Sequence, residues 1–241
     1  MVSNLELYRG NGGESNRGRR ADEDCCGIIQ VMAGPLFPLF PLELALLPHA
    51  RLPLHIFEDR YKEMISECLE NSSEFGVVLR REAGILRVGC SASIEKVLQR
   101  HEDGRMDILT VGRRRFNIES INTERSYLQA EVEFFQDPEF VEPEPAALAR
   151  ALAAHGKLAP GKLPPEAPAS EPGLSFRLAA ASDDQDFRQV LLSIESEAER
   201  MDRVAEHLEW LVFRQDTRSV MKKVAGSNGH GRHVKEFGEE Q

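Results

Sequence analysis

Long apolar runs are missing from this 241-residue chain: none approaches the ~20 residues a membrane-spanning helix needs. The first 30 residues are polar and Gly-rich and hold no apolar stretch of the secretory-signal type, which points to a cytoplasmic protein. Cysteine is scarce, at Cys25, Cys26, Cys68 and Cys90. The adjacent Cys25 and Cys26 lack the spacing of a zinc or redox pair, and no second pair answers them, so reduced thiols are expected and a metal-ligating set is not. An excess of base is also missing. A net charge of −10 argues against a general polyanion binder, which needs a net basic face to neutralise phosphates.

What is present is organised in blocks. Residues 1–34 show no sustained periodicity and read as a disordered leader that adds nothing to the fold, with Met32 a candidate translational start. From residue 36, LFPLFPLELALLPHARLPLHIF carries four prolines among apolar residues, which suits short edge strands and forbids a long helix. The stretch EDRYKEMISECLE then places Tyr61, Met64, Ile65, Cys68 and Leu69 on one helical face, with Glu58 and Asp59 in the first turn where the helix dipole favours negative charge. FGVVLR begins a series of short strands, with GILRVGCSASIEKV read as a further pair. Hairpin turns are predicted at Asp103-Gly104 and at Asn122 to Arg125, where Phe116, Ile118 and Ile121 would face Leu128, Ala130 and Val132. Several short strands at this spacing, with one early helix, indicate a small closed or half-closed β-barrel over 35–137.

A second regime covers 138–213. Ala147–Ala154 can form a short helix stopped by Gly156, and residues 156–173 read as a Pro/Ala-rich linker. LSFRLAA adds a helical turn or two. The apolar residues from Phe187 to Val212 then recur every three or four positions, and Ser196 with Glu199 fits a capping box, so a break is expected near 194–196 between two helices. Residues 214–241 read as a helix end and a disordered tail.

Catalytic motifs fail on their details. GKLAPGKL at 156–163 matches the glycine and lysine positions of a phosphate-binding loop, but Leu163 stands where a magnesium-binding hydroxyl belongs, and prolines occupy the helix that should follow. No serine lies in a nucleophile context with a base and an oxyanion site. His49 and His55 flank the proline-rich hairpin and read as structural. Arg113-Arg114-Arg115 could touch a phosphate, yet 35–137 holds 13 Lys and Arg against 17 Asp and Glu, so nearby acids are the expected partners.

The order PLFPL, PLHIFEDRYKEM, FGVVL, VGRRRFNI, YLQAEVEFF, LSFRLAA and an ERM-containing helix resembles the Lon protease N-terminal (substrate-binding) domain from about 35 to 213. PLHIFEDRYKEM is the most specific piece and Gly112–Phe116 the next. The resemblance implies an α+β fold: a PUA-like small β-barrel with one inserted helix, followed by an α-helical subdomain. It also implies recruitment of unfolded or tagged polypeptides. The ATPase and Ser–Lys protease motifs of the full protease have no counterpart here, so the chain looks like a free-standing Lon-domain protein.

The resulting expectation is a non-catalytic binding module for polypeptide segments or a protein partner, acting as an adaptor in protein quality control, with no cofactor, metal or catalytic residues. RNA binding, known for other PUA-like barrels, is the alternative; the acidic balance and the lack of an aromatic stacking set on one strand count against it. The candidate peptide-binding residues are Phe37, Phe40, Leu42, Leu44 and Phe135, argued from the prolines that place the Leu36–Leu47 hairpin at an edge able to accept an extended chain.

Overall fold

The computed structural model describes residues 7–8, 36–162 and 171–228. The strands are β1 (Leu7–Tyr8), β2 (Phe37–Leu42), β3 (Arg51–Ile56), β4 (Phe75–Arg81), β5 (Gly84–Arg100), β6 (Met106–Asn122) and β7 (Gln129–Phe135). The helices are α1 (Asp59–Asn71), α2 (Pro145–Leu158), α3 (Leu174–Ala179), α4 (Gln185–Ser193) and α5 (Glu197–Asn228). The strands pair in the order β1-β5-β4-β2-β7-β6-β3, and β5 also pairs with β6, so the ladder from β5 through β4, β2 and β7 to β6 returns on itself. This is the small barrel the pattern of strands implied. The β2–β4 pair is parallel and the other pairings are antiparallel.

Helix α1 buries Tyr61, Met64, Ile65 and Cys68, the face read from their spacing. The turn at Gly104 takes a positive φ of 84°, as a tight hairpin between β5 and β6 requires. On the other side of β6, Ile118 faces Val132 and Ile121 faces Ala130, while Phe116 lies opposite Phe134. One strand expectation fails. GILRVGCSASIEKV is not a pair but part of the single 17-residue β5, which stays paired with β6 through register shifts between Cys90 and Ala92, Ile94 and Lys96, and Val97 and Gln99. Bulges of this kind bend a long strand around a barrel instead of ending it.

The proline-rich β2 is not an edge. It lies between β4 and β7 with Leu39 and Phe40 both buried. Its ladders are short, spanning residues 39–42 towards β4 and 37–38 towards β7, so Pro41 has no β7 partner to deprive of a donor. β3 alternates cleanly instead: Arg51, Pro53 and His55 are exposed, while Leu52, Leu54 and Ile56 turn inward.

Within the leader, Leu7 and Tyr8 pair antiparallel with Leu86 and Ile85, so that part of it joins the sheet; the remainder of 1–34, and the Met32 start, lie outside the described residues. Helix α2 runs two residues past Gly156, and the break at 194–196 separates α4 from α5 as expected. Helix α5 continues to Asn228; the tail beyond it, and 163–170 of the linker, lie outside the described residues. Barrel and helices share one apolar cluster that includes Phe40, Tyr61, Phe75, Leu174, Phe176, Leu191, Met201 and Leu208. A smaller cluster of Leu39, Val78, Ile85, Phe116, Ile118 and Ala130 fills the space between strands, with the Phe116 ring against Gly76 and Gly89.

Gly112 shows why the Gly112–Phe116 segment tolerates little change. Its N–H donates to Ala50 O (3.0 Å) and its carbonyl accepts from His49 N (2.9 Å), drawing the 46–50 turn onto β6. A Cβ at this position would lie 2.2 Å from the Leu47 carbonyl oxygen, a backbone atom that cannot swing aside. Gly112→Ala is therefore expected to cost about 1–3 kcal/mol, the range for overpacking a filled site; urea unfolding measures it.

Candidate functional site: a cleft between barrel and helices

β6 carries three consecutive arginines, and a register shift opposite Cys90 and Ala92 fits one extra residue between Gly112 and Arg115, so simple alternation is broken and the three go to different places. Arg115 is buried; Arg113 and Arg114 are exposed. Arg113 donates to Ser93 Oγ (2.8 Å), and Arg114 pairs with Glu74 (3.1 Å) while its guanidinium lies 3.9 Å over the Phe134 ring. Arg115 crosses to the helices. It donates to the carbonyls of Leu192 (3.1 Å) and Ile194 (2.6 Å) and to Asp137 Oδ1 (2.5 Å). Those carbonyls belong to the C-terminal end of α4, where a helix leaves acceptors without intrahelical partners and favours positive charge.

Arg200, one turn into α5, completes the arrangement. It donates to both oxygens of Asp137 (2.8 and 2.5 Å), to Ile194 O (2.6 Å) and to Glu197 Oε2 (2.7 Å). Glu197 accepts from the backbone N–H and hydroxyl of Ser175 in α3 (2.8 and 2.9 Å). The Phe176 ring lies 4.4 Å beneath Arg200, and the Phe135 ring 4.6 Å from Arg115. Two guanidiniums and two carboxylates are thus taken from water together, each with hydrogen bonds to satisfy it.

Electrostatics follow from that packing. Burial, and then the neighbouring Arg200 charge, hold the Arg115 guanidinium below its usual pKa. Burial works to lower Arg200, but its bonds to Asp137 and Glu197 outweigh it and the group ends higher than usual. Burial works to raise the Asp137 carboxyl, yet the Arg200 and Arg115 bonds outweigh it and hold the group below the usual carboxylate range.

This network floors a cleft of about 630 Å³ whose sides include Pro48, His49, Phe134, Phe135, Phe140 and Gly173. A second hollow, about 920 Å³, opens on the other side of Arg114 and Phe134 and is lined by Leu36, Phe37, Tyr127 and Val132 among others. Phe37 meets Phe134 edge to face at 5.4 Å, and Phe134, Phe135 and Phe140 all line the first cleft. Among the described residues the β2–β7 ladder is two pairs long, Phe37↔Ala130 and Pro38↔Gln129, while β7 continues to Phe135.

Of the five residues proposed from sequence, Phe37 and Phe135 line these hollows. Phe40 does not. It is buried with its ring 4.2 Å from Tyr61, because β2 is covered on both faces. Leu42 and Leu44 are half-buried against the main apolar cluster. Sequence reading missed Phe134 and Phe140, which are 37% and 43% exposed; the available signal was a second phenylalanine next to Phe135 at the end of β7, and Phe140, beyond that end, carried none. Arg60 pairs with Glu58 (2.6 Å) and covers the Tyr61 ring, while Tyr61 packs inward as its place on the apolar face of α1 implied. Ser182 Oγ lies 2.9 Å from His207 Nε2, but the serine is buried and its oxygen accepts from Asp184 N, so the pair braces the start of α4.

Asp137→Asn leaves two buried guanidiniums short of a counter-charge and should cost about 3–5 kcal/mol, read by denaturant unfolding at neutral pH. The contribution of Asp137 is present above its unfolded-state pKa and is lost as pH falls through its depressed folded-state value. Below about pH 4 the wild type should therefore lose stability more steeply than Asp137→Asn.

Residues 37–210 match the family model described as the ATP-dependent protease La (LON) substrate-binding domain. A crystal structure of a Lon N-terminal domain protein from Xanthomonas campestris is 25% identical, with a TM-score of 0.59 over 70% of this chain and 96% of that one. The N-terminal domain of Lon protease from the Mycobacterium avium complex is 17% identical, with a TM-score of 0.42 over 72% of this chain and 100% of that one. A Lon protease of Roseiflexus castenholzii is 27% identical over 84% of this chain, which spans 30% of that protein's length. The chain belongs to the LON substrate-binding domain family.

Proposed function

We propose that this protein is a non-catalytic binding module that holds extended, unfolded or partly folded polypeptide along the cleft between its barrel and its helices. The observation that carries this reading is the group of phenylalanines beside β7 beyond Ala130, which among the described residues pairs only with β6. Phe134 and Phe140 leave apolar area at the surface, 37% and 43% exposed, although the inner edge of Phe134 also packs on Phe116. Backbone groups of β7 beyond Ala130 can pair with an added strand, which supplies affinity with little sequence preference. Arg113 and Arg114 at the rim favour acidic side chains in the bound segment. Phe37 and Phe135 belong to this surface; Phe40 does not. A role as adaptor in protein quality control is consistent with such binding, and the matched region is a substrate-binding domain with no catalytic module in the match.

Binding of fluorescein-labelled, reduced and carboxymethylated casein, followed by anisotropy, tests the reading. Phe134→Ser with Phe140→Ser should weaken binding at least about tenfold, a loss of ~1.4 kcal/mol or more, while the melting temperature stays within a few degrees. Unchanged affinity in a folded double variant contradicts the proposal. Displacement of casein by single-stranded RNA at moderate salt would favour the RNA reading of the same arginines and phenylalanines. Purified protein should also show no ATP hydrolysis; turnover abolished by Lys162→Ala would overturn the non-catalytic part.

A further inference from the structure

A second cluster of side chains lies apart from the cleft, at the far end of β5 and β6. β3 and β6 pair in register with His55 directly opposite Asp107, and Gln99 of β5 faces Asp107 from the other side. His101 follows the end of β5, held by its N–H to Arg105 O (2.9 Å), with the Gly104 N–H closing the turn onto His101 O (3.0 Å). Three neighbouring segments therefore bring two imidazoles and one carboxylate to the same place. His55 Nδ1 lies 2.6 Å from Asp107 Oδ1, and His101 Nε2 lies 3.0 Å from Asp107 Oδ2. The three donor atoms all fall within 4.8 Å of one another. The side chains are 47%, 26% and 32% exposed for His55, His101 and Asp107, so an ion can reach them from solvent.

We infer that His55, His101 and Asp107 form a binding site for a divalent late-transition-metal ion of the Zn²⁺ type. Two imidazole nitrogens and one carboxylate oxygen are a donor set that suits Zn²⁺ with a fourth position open. Zinc bonds to these donors are about 2.0–2.2 Å long, which sets tetrahedral ligand atoms about 3.3–3.5 Å apart. The two imidazole–carboxylate spacings are shorter than that value and all three donor atoms lie within 4.8 Å, so the side chains must open slightly around an ion, on segments held by the β3–β6 pairing and the turn after β5. The ring protons now shared with Asp107 would move to the other nitrogen of each imidazole, leaving Nδ1 of His55 and Nε2 of His101 free to donate to the ion. An imidazole that is protonated beforehand would instead release one proton to solvent.

Alternation explains why the site faces outward: His55 shares the exposed face of β3 with Arg51 and Pro53. The surrounding hollow, lined by Pro53, Leu98, Gln99 and Ile108, shares no residue with the cleft. A bound ion would tie the β5–β6 turn to β3, which among the described residues pairs on one side only. Its open position would accept water or a donor from a bound polypeptide. The two histidines stand 46 residues apart in a chain whose cysteines gave no metal pattern, so spacing could not reveal the site.

Isothermal titration of the metal-stripped full chain with ZnCl₂, in a buffer that does not coordinate zinc, tests the inference. The expected result is one Zn²⁺ per chain at this site, with binding weakened at least tenfold in His55→Ala, His101→Ala and Asp107→Asn. His230→Ala with His233→Ala, in the tail, should leave it intact. Zinc binding that is absent, that survives His101→Ala, or that disappears with the tail variant overturns the assignment. Circular dichroism melting of the zinc-free variants checks that they remain folded. Should any of them unfold, histidine-ring NMR signals of the wild type decide: zinc should shift those of His55 and His101, and shifts confined to other histidines contradict the site.

Discussion

Arg115 and Arg200 meet at Asp137 in the one place where barrel and helices exchange buried charge among the described residues. Taking a guanidinium out of water is costly, and each ion here is tolerated because several partners replace its hydration. Some of those partners are carbonyls that any α4 would leave unpaired at its end. Others fix the start of α5 through Glu197 and the position of α3 through Ser175. The helical break at 194–196 is therefore more than a change of direction. It presents acceptors to the barrel, and the barrel answers with an arginine. An apolar contact could bury as much area, but it would not fix the angle between the two parts so narrowly.

The cleft is a consequence of that joint. The bulge in β6 turns Arg115 inward and leaves Arg113 and Arg114 at the surface, and β7 ends beside them with Phe134 and Phe135. A rigid, charged floor beneath an aromatic rim suits extended polypeptide, whose backbone needs hydrogen-bonding partners and whose apolar side chains need a place out of water. It also explains why the proposed binding surface and the fold's joint are neighbours without being the same residues. Phe134 and Phe140 can change at modest expense, whereas Arg115, Asp137 and Arg200 cannot.

Local features were legible in the sequence because local physics makes them. The apolar face of α1, the turn at Asp103-Gly104 and the break before Glu197 each follow from residues within a few positions of one another. Long-range features were not. Arg115 and Asp137 are 22 residues apart, and Asp137 and Arg200 are 63, with nothing in the intervening chain to couple them. The bulges that keep β5 continuous carry no residue signature, so one strand read as two. Phe40 misled for a different reason. Proline usually marks an edge, but β2 is central with short ladders on each side, and both of its faces are buried. Family resemblance through PLHIFEDRYKEM and Gly112–Phe116 supplied the architecture that periodicity alone left open between a closed and a half-closed barrel.

The central claim is that extended polypeptide lies along β7 over the Arg115–Asp137–Arg200 floor. Amide hydrogen exchange of the full chain, with and without saturating reduced and carboxymethylated casein, tests it most directly. The account predicts slowed exchange at the β7 amides between Glu131 and Phe135, with β3 and the exposed half of α5 unchanged. Protection confined to α5 or to the β5–β6 turn, with β7 unaffected, would contradict it.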